Sequence, residues 1–340
     1  MRTACHRRFL GAVLQWPLRP DQQDNPGGRM IIRAMDPERH LDGHLRVVHQ
    51  QDPFPRNAAD WWERHREARQ GAFRRYLVGE VSGEIIAVGV LLDFEIGNAI
   101  NARLVVDVAH RGRGHGRTMC AALDDLIAER APTHVDARVS DGDESSRSWA
   151  ERRGFRLHNH SIRSRLDLWA YDPLVRGNAV TRAEAAGLRF EMATDMDHLY
   201  ELYARLVVDE PDQDEPPDRD TFRRHIEARS DVIALVALHG SEWVGTAIVV
   251  PQGPDGAWNE FTGVLPDRRG AGIATALKVL VTNEAVGQGW AWIETINDAE
   301  NAPMLAVNRA LGYRPVAGTL FLRRTLSESA ARTAGPQTTT

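Results

Sequence analysis

The sequence predicts an α/β (α+β) fold in two tandem copies, each a mixed, mostly antiparallel sheet flanked by helices. Three observations support this prediction: an internal repeat, the same order of strand and helix patterns in both halves, and one glycine-rich turn that occurs twice. When the sequence is aligned with itself so that Arg111 matches Arg269, Gly114 matches Gly272 without a gap. A repeat of this length indicates two domains and not a solenoid of short units.

Each copy shows the same elements in the same order. A short strand is followed by a helix that begins near an aspartate, a polar loop and a second helix. Two β-rich runs joined by a tight turn come next, and a fourth strand enters the glycine turn and a long helix. A fifth strand, a further helix and a closing β-hairpin end each copy. In the first copy, the predicted residue ranges are 30–34 and 133–139 for two of the strands and 41–49 and 112–130 for two of the helices. In the second copy, they are 188–192 and 291–295 for the strands and 196–208 and 270–287 for the helices.

The repeat also sets the expected domain boundaries. We expect the first domain at 30–170 and the second at 188–326, with a linker at 171–187. Residues 1–29 precede the repeat and are expected to form an N-terminal extension. Residues 327–340 are rich in Ser, Thr and Ala and are expected to form a disordered tail.

Composition and charge exclude several classes of protein. Of the 340 residues, 42% are hydrophobic and 26% are charged, as in soluble globular proteins. The net charge of −5 gives no global basic field, so we expect no nucleic-acid partner. No apolar run reaches the roughly 20 residues of a membrane helix, and two cysteines argue against a disulfide framework or a cysteine-rich zinc site. We therefore expect a cytoplasmic protein with no membrane partner and no bound metal. Lys278 is the only lysine, a bias that a GC-rich genome explains.

The glycine turn reads Arg-Gly-Ala-Gly-Ile-Ala at 269–274 and Arg-Gly-Arg-Gly-His-Gly at 111–116. Glycine lets a ligand approach the backbone, and the helix that follows offers unpaired N–H groups and the positive end of its dipole. Such a turn can hold a phosphate, and a glycine-rich turn without a ligand is the alternative. Neither a GxGxxG dinucleotide motif nor the Gly-Lys-Ser/Thr of a phosphate loop is present at these turns.

Two motifs together resemble those of one enzyme family. The Arg-x-x-Gly-x-Gly/Ala spacing after the fourth strand is similar to the coenzyme A pyrophosphate motif of the GNAT N-acyltransferases. The stretch NDAENAPMLAVNRALGY at 297–313 resembles that family's Asn-x-x-Ala/Met and Gly-Phe/Tyr positions. Because the resemblance covers 30–168 and 188–325, the whole chain resembles a tandem GNAT protein.

The resemblance implies that acetyl-CoA is the acyl donor and that the amides of the glycine turn hold its pyrophosphate. Main-chain groups near the end of the fourth strand would pair with pantetheine, and one asparagine would contact the pantetheine arm. The residues that it implicates in CoA binding are Thr262, Val264, Arg269, Gly270, Ala271, Gly272, Ile273, Ala274 and Asn301 in the second copy, and Val106, Arg111, Gly112, Arg113, Gly114, His115 and Gly116 in the first.

Catalytic residues are expected in the second copy. Amide formation needs a neutral amine, and Glu260 on the fourth strand could accept its proton; a plain exposed strand residue is the alternative. The counterpart of Glu260 in the first copy is Ala102. The position of the family's proton-donating tyrosine holds Asn308 in the second copy and Ala150 in the first. Asparagine can donate a hydrogen bond but not a proton near pH 7, so CoA would leave as the thiolate or another acid would serve.

The first copy departs further from the family pattern. Asp143 stands where the second copy has Asn301, and a carboxylate is a poor neighbour for a polyanionic cofactor. Asp107 is a weaker base candidate than Glu260, because it lies nearer the expected phosphates. We therefore expect the first domain to be degenerate and the second to be catalytic.

The acceptor is expected to be an amine. The acidic run at 209–220 would attract a cationic amine, or it forms a solvated loop. Trp61 and Trp62 occupy the corresponding region of the first copy, where they either line a pocket or pack partly in the core.

The sequence thus predicts an acyl-CoA-dependent N-acyltransferase that moves acetyl from acetyl-CoA to a primary amine of a small molecule or peptide. Two alternatives stay open. One is an acetyltransferase of thiol-cofactor biosynthesis similar to mycothiol synthase, which is also a tandem GNAT. The other is a non-catalytic CoA-binding sensor or interaction module. The sequence does not choose between a monomer and a homodimer.

Overall fold

Two α/β units, each a mostly antiparallel sheet flanked by helices, make up the part of the chain that the computed structural model describes. This architecture confirms the predicted fold class. The described residues are 29–51, 57–66, 72–93, 98–173, 177–208 and 216–326. The expected extension, apart from Arg29, and the expected C-terminal tail lie outside the described residues.

From the first strand to the last helix of each copy, the strands and helices follow the order that the repeat predicts. The strands are β1 (Ile31–Ala34), β2 (Arg74–Val81), β3 (Glu84–Asp93), β4 (Ala99–Val106), β5 (His134–Ser140), β6 (Arg156–Asp167), β7 (Leu188–Met192), β8 (Ile233–His239), β9 (Glu242–Pro251), β10 (Gly256–Val264), β11 (Trp292–Asp298), β12 (Arg314–Pro315) and β13 (Thr319–Thr325). The helices are α1 (Pro37–His49), α2 (Ala58–Arg66), α3 (His115–Arg130), α4 (Glu144–Glu151), α5 (Gly177–Ala185), α6 (Met196–Val207), α7 (Arg219–Glu227), α8 (Ile273–Gly287) and α9 (Ala302–Leu311). Among these described helices, none is both long and apolar enough to cross a membrane.

Aspartates begin the helices that the sequence patterns indicated. Asp36 caps α1 by accepting a hydrogen bond from the backbone N–H of Glu38, and Asp195 caps α6 by accepting from Asp197 and His198. Each cap satisfies backbone donors that the first turn of a helix leaves without an internal partner. The apolar faces of α1 and α6 then pack on the sheet of their own unit.

The first unit comprises the residues up to 158 together with those from 321 onward. Its strand order is β1-β2-β3-β4-β5-β13, antiparallel from β1 to β4 and parallel between β4 and β5. Helices α1 and α3 pack against β3, and their buried residues include Val47 and Met119.

The second unit comprises residues 159–320. Its strand order is β6-β11-β10-β9-β8-β7, antiparallel except between β10 and β11, and β12 also pairs with β6. Helix α8 packs on β8, β9 and β10, where Leu277 and Ile248 are fully buried.

The last strand of each sequence copy belongs to the sheet of the other copy. β6, at the end of the first copy, pairs with β11, and β13, at the end of the second, follows β5. Two ion pairs at equivalent positions of the repeat hold these strands. Arg165 Nε lies 2.6 Å from Glu294 Oε1, and Arg323 Nε lies 2.7 Å from Asp136 Oδ1.

Because of this exchange, a compact unit of the structure does not cover the same residues as an expected domain. The units divide after residues 158 and 320 and not at the edges of the expected domains, 30–170 and 188–326. The physical reason is that an alternating pattern predicts a strand but not its neighbour, since main-chain atoms make the ladder bonds. For the same reason the expected closing hairpin is wrong in both copies. The first copy ends in the single strand β6, and in the second β12 pairs with β6 while β13 joins the other sheet.

The expected linker at 171–187 contains a helix. α5 packs against α8. Its Ala179 and Ala183 are buried, and Ala183 belongs to the core of the second unit. Small residues on one face allow this close packing, which the repeat comparison could not show because α5 lies outside the repeat.

Candidate active site

The glycine turn of the second unit begins where β10 ends. A single 3-10 turn at Pro266–Arg268 leads to Gly270 and Gly272, whose φ angles are 79° and 80°. These are left-handed conformations that favour glycine. Gly272 is the N-cap of α8 and makes no side-chain cap bond, so the first N–H groups of the helix are available to a ligand.

Space lies open in front of this turn. A Cβ atom added to Gly270 or Gly272 would meet no atom within 4 Å, so the protein itself does not require the missing side chains. Arg269 turns back on the strand end and donates from Nε to Val264 O at 3.1 Å. Positive φ angles, open space and a helix N-terminus together fit the pyrophosphate of CoA.

The turn of the first unit has the same geometry. Gly112 and Gly114 have φ angles of 75° and 89°, and added Cβ atoms would again meet nothing within 4 Å. Arg111 Nε donates to Val106 O at 3.2 Å. Both turns therefore keep the backbone that an anion needs, and the turn alone does not distinguish the two copies.

β10 separates from β11 before it reaches the turn. Their parallel pairing runs from Gly256 opposite Trp292 to Trp258 opposite Glu294 and stops there. The edge of β10 that faces β11 therefore has no partner strand around Thr262 and Val264, among the described pairs, although Val264 O already accepts from Arg269 Nε. This leaves main-chain groups of β10 free to hydrogen-bond an extended ligand.

The same separation is shorter in the first unit. β4 stays paired with β5 as far as Ala102 opposite Ala137, and Ala102 is the repeat equivalent of Glu260. The gap in the first unit therefore opens later along the strand, which leaves less free edge for a ligand.

A β-bulge interrupts β10 at Glu260. Asn259 pairs with Val249 and Phe261 with Ile248, so that Glu260 is one extra residue on β10. In the first unit β4 pairs with β3 from Ile100 to Val106 with no such shift. A bulge re-aims the side chain that it carries, and among the described strand pairs only the second copy has one at this position.

The side chain of Glu260 lines a cleft and is partly exposed to solvent. Its side chain is 33% exposed, and its Oε1 lies 2.6 Å from His225 Nε2. The cleft has a volume of about 180 Å³ between α6, α7, β9 and β10. Its lining is mostly apolar and comprises Tyr203, Pro217, Thr221, Phe222, His225, Ile226, Ile248, Glu260 and Phe261.

His225 is a site residue that sequence reasoning missed. It lies on α7, 35 positions before its partner Glu260, and no motif connects them. A weak signal exists in the spacing of Phe222 and Ile226, which are buried four residues apart. That spacing defines the inward face of α7, and His225 lies at the edge of this face.

Asp107, the weaker base candidate, has a structural role. Its Oδ2 accepts hydrogen bonds from Arg46 at 2.7 Å and from Gln50 at 2.9 Å, and its Oδ1 accepts from the N–H of Ala109. Burial would raise the pKa of Asp107, but these hydrogen bonds outweigh it and lower the pKa to about 2. A carboxylate held in this way is a poor proton acceptor near neutral pH.

Asn301 and Asp143 both act as helix N-caps. Asn301 Oδ1 accepts from the N–H of Met304 at 3.2 Å at the start of α9. Asp143 Oδ1 accepts from the N–H of Ser146 at 2.9 Å at the start of α4. Asn and Asp cap helices about equally well, which explains why both residue types occur here. A contact with pantetheine stays a prediction.

Asn308 lies inside the second unit and is 2% exposed. Its Nδ2 donates to Asn297 Oδ1 at 2.6 Å at the end of β11. Its buried Oδ1 has no hydrogen-bond partner within the described part of the chain. A buried acceptor of this kind suits a donor that a ligand brings, and it supplies no proton.

The sequence predicted two regions near an acceptor, the acidic run at 209–220 and the pair Trp61 and Trp62. The structure describes only part of the first. Of the acidic run at 209–220, residues 209–215 lie outside the described residues, and Asp218 caps α7 by accepting from the N–H of Thr221. Trp61 and Trp62 pack against the core of the first unit. Trp61 also stacks on His65 at 4.7 Å between ring centroids, so packing accounts for the pair.

A family model and solved structures match the chain over most of its length. The model described as the acetyltransferase (GNAT) family matches residues 39–155 and 195–313. A solved tandem GNAT protein from the clavulanic acid biosynthesis pathway has a TM-score of 0.66 at 20% identity, covering 91% of this chain and 100% of that one. A GCN5-related N-acetyltransferase from Sphaerobacter thermophilus has a TM-score of 0.64 at 18% identity, covering 87% and 96%. At these identities the structures show the fold alone.

Curated relatives are similar in sequence as well. The chain is 30% identical over 236 residues to a mycothiol acetyltransferase from Clavibacter sepedonicus, covering 66% of this chain and 73% of that protein. It is 25% identical over 260 residues to a mycothiol acetyltransferase from Streptomyces bingchenggensis, covering 76% and 83%.

Proposed function

Because the chain belongs to the acetyltransferase (GNAT) family, we propose that its second copy transfers the acetyl group of acetyl-CoA to a primary amine in the cleft beside Glu260. Family membership makes the chain an acyl-CoA-dependent N-acetyltransferase. One observation supports both the second copy as the catalytic one and Glu260 as the general base. The bulge in β10 falls at Glu260, whose side chain lines the cleft, and β4 of the first copy has neither bulge nor carboxylate at this position.

Donor binding uses the backbone of the second copy. The N–H groups of Gly270, Gly272 and the first turn of α8 hold the pyrophosphate, and the free edge of β10 pairs with pantetheine. Asn308 Oδ1, the buried acceptor without a partner, can take a hydrogen bond from the bound donor. When bound, acetyl-CoA supplies the thioester carbonyl that the amine attacks.

Proton transfer falls to Glu260. An ammonium ion has no lone pair, so Glu260 takes one proton from the incoming amine, and His225 holds the carboxylate in place at 2.6 Å. The C–N bond forms as the C–S bond breaks, and the nitrogen gives up its second proton to solvent water as it becomes an amide. CoA leaves as the thiolate, because Asn308 has no proton to give at neutral pH.

The cleft favours an amine on an apolar body. Glu260 attracts the cationic form, while Tyr203, Phe222 and Phe261 offer apolar surface next to it. The names of the curated relatives favour a second candidate, the acceptor of the mycothiol acetyltransferases.

An acceptor panel tests both candidates. The full chain is given acetyl-CoA with phenethylamine, with glucosamine as a polar primary amine, or with the mycothiol acetyltransferase acceptor. Thiol release and the mass of the acetylated product are measured. We expect turnover with phenethylamine to exceed turnover with glucosamine. Preferred turnover of the mycothiol acetyltransferase acceptor would establish the second candidate. Binding of acetyl-CoA without turnover of any amine would overturn the proposal in favour of a CoA sensor.

A further inference from the structure

The only lysine of the chain is buried behind the bulge. Lys278, on α8, is 1% exposed. Its Nζ donates to Asn259 Oδ1 at 2.5 Å and lies 4.9 Å from the centre of the Tyr313 ring. In the described part of the chain no carboxylate forms an ion pair with Nζ. Burying a cation without an opposite charge is costly, so packing alone does not account for this residue.

Asn259 connects Lys278 to the bulge. While its Oδ1 accepts from Lys278, its Nδ2 donates to Ile248 O at 3.1 Å and to Phe261 O at 2.9 Å. These two carbonyls belong to the pair that follows the extra residue, Glu260. A bulge disrupts the ladder locally, and the amide of Asn259 restores contacts across the disruption.

The first copy provides an internal comparison. Asn101 is the repeat equivalent of Asn259 and is retained, whereas Cys120 replaces Lys278. The Sγ of Cys120 contacts Asp124 on its own helix at 3.5 Å, and β4 has no bulge from Ile100 to Val106. The asparagine alone therefore does not produce the bulge, and the lysine accompanies it.

We propose that Lys278 is a positioning residue: by holding Asn259, it fixes the bulge in β10 that directs Glu260 toward the cleft. The effect on turnover rests on the proposed function, whereas the effect on the bulge does not. Because Lys278 is buried below the surface, it acts through Asn259 and not by contact with a substrate. Burial lowers the pKa of Lys278 from 10.5 to about 7. The amine can donate to Asn259 in both protonation states, because neutral and charged amines both carry N–H groups.

The test compares Lys278→Met with Thr282→Val. Met is similar to Lys in length but cannot donate. Thr282 lies one turn further along α8, is fully buried, and donates to Lys278 O at 2.6 Å, so its variant removes a buried hydrogen bond without touching Asn259. The pairing of β9 with β10 is read from a crystal structure or from cross-strand nuclear Overhauser effects. Kinetic constants and CoA affinity are measured on the same samples.

We expect β10 of Lys278→Met to pair with β9 without an extra residue from Trp258 to Val264, as β4 pairs with β3 from Ile100 to Val106. Thr282→Val should keep the bulge. In Lys278→Met, kcat should fall about tenfold or more, with CoA affinity within about threefold of the wild type. A folded Lys278→Met protein that keeps both the bulge and kcat would overturn the proposal. If the wild type transfers no acetyl group, the proposed function fails, and the strand pairing still decides the role of Lys278.

Asn259→Asp decides the matter if Lys278→Met does not fold. Its carboxylate keeps a partner for Lys278 but cannot donate to Ile248 O or Phe261 O. The variant should therefore fold and lose the bulge. A folded Asn259→Asp protein with the bulge intact would contradict the proposed connection from Lys278 through Asn259 to Glu260.

Discussion

Glu260 is the side chain whose replacement should lower turnover most. Glu260→Gln keeps the shape but removes proton acceptance, so kcat/KM should fall by roughly 10²–10⁴-fold while CoA affinity is unchanged. Raising the pH should partly restore activity, because more of the amine is then already neutral. Steady-state kinetics across a pH series provides the measurement. The control is Glu284→Gln, an exposed glutamate near the end of α8; equal losses in both variants would remove Glu260 from the mechanism.

The buried amine of Lys278 should make stability depend on pH. Burial lowers its pKa from 10.5 to about 7, so between these values the unfolded chain binds a proton that the folded chain does not. The free energy of unfolding should therefore rise from pH 7 toward pH 10, by up to about 1.4 kcal/mol per pKa unit. Below pH 7 the full cost of burying the charge remains.

Urea unfolding of the wild type and Lys278→Met at pH 7, 8.5 and 9.5 measures this contribution. The stability difference, wild type minus variant, should increase with pH. Tyr313 does not interfere below pH 10, because burial raises the pKa of its hydroxyl group. A stability difference that stays constant over this range would mean that the folded lysine keeps its proton.

Some residues of the candidate site could be predicted from the sequence and others could not, for physical reasons. Glu260 was predictable because the repeat sets it against Ala102 at a known distance from the glycine turn. His225 was not, since its contact with Glu260 joins a helix to a strand through tertiary packing. The lone Lys278 was visible in the sequence, but only its burial shows that codon bias does not explain its position.

At the level of elements, the glycine turn could be predicted from the sequence and the bulge could not. The turn was predictable because a positive φ is a local property and glycine reports it. The bulge depends on side chains from β10 and α8 that meet only in the fold. The exchange of β6 and β13 depends on which strand edges meet, and alternating patterns carry no such information.

Matched substitutions in the two turns test which copy acts. Gly114 and Gly272 have φ angles of 89° and 80°, so Glu at either position bears similar backbone strain, and its Cβ meets no protein atom within 4 Å at either position. Gly272→Glu sets an anion against phosphate and should abolish turnover. Gly114→Glu should leave turnover within about threefold, under ~1 kcal/mol in barrier.

Kinetics and thermal shift with CoA report the two outcomes. A ligand at 100 times its Kd stabilises its site by about 2.7 kcal/mol, so a lost site removes a visible shift. Loss of activity in Gly114→Glu, with activity retained in a folded Gly272→Glu, would assign the chemistry to the first copy.

At the scale of the whole molecule, the two compact units do not cover the same residues as the two copies of the sequence repeat. The second unit is the continuous segment 159–320, which begins within β6 and includes α5. The first unit needs β13 from the far end of the chain. The equivalent pairs Arg165–Glu294 and Arg323–Asp136 show that both exchanges use the same contact. Cutting the chain at the repeat boundary therefore removes a strand from each unit.

Two fragments test this division. Residues 159–320 should fold alone and bind CoA, whereas 188–326, the repeat-defined domain, should not fold stably. The shorter fragment lacks β6, so Glu294, which is 2% exposed, loses both Arg163 and Arg165. A buried carboxylate left without its partners costs about 3–5 kcal/mol, a large part of the roughly 5–15 kcal/mol that stabilises a domain. Loss of α5 also uncovers α8.

Circular dichroism melting and the CoA thermal shift compare the fragments with the full chain. Equal, cooperative melting of both fragments would mean that β6 contributes little to the second unit.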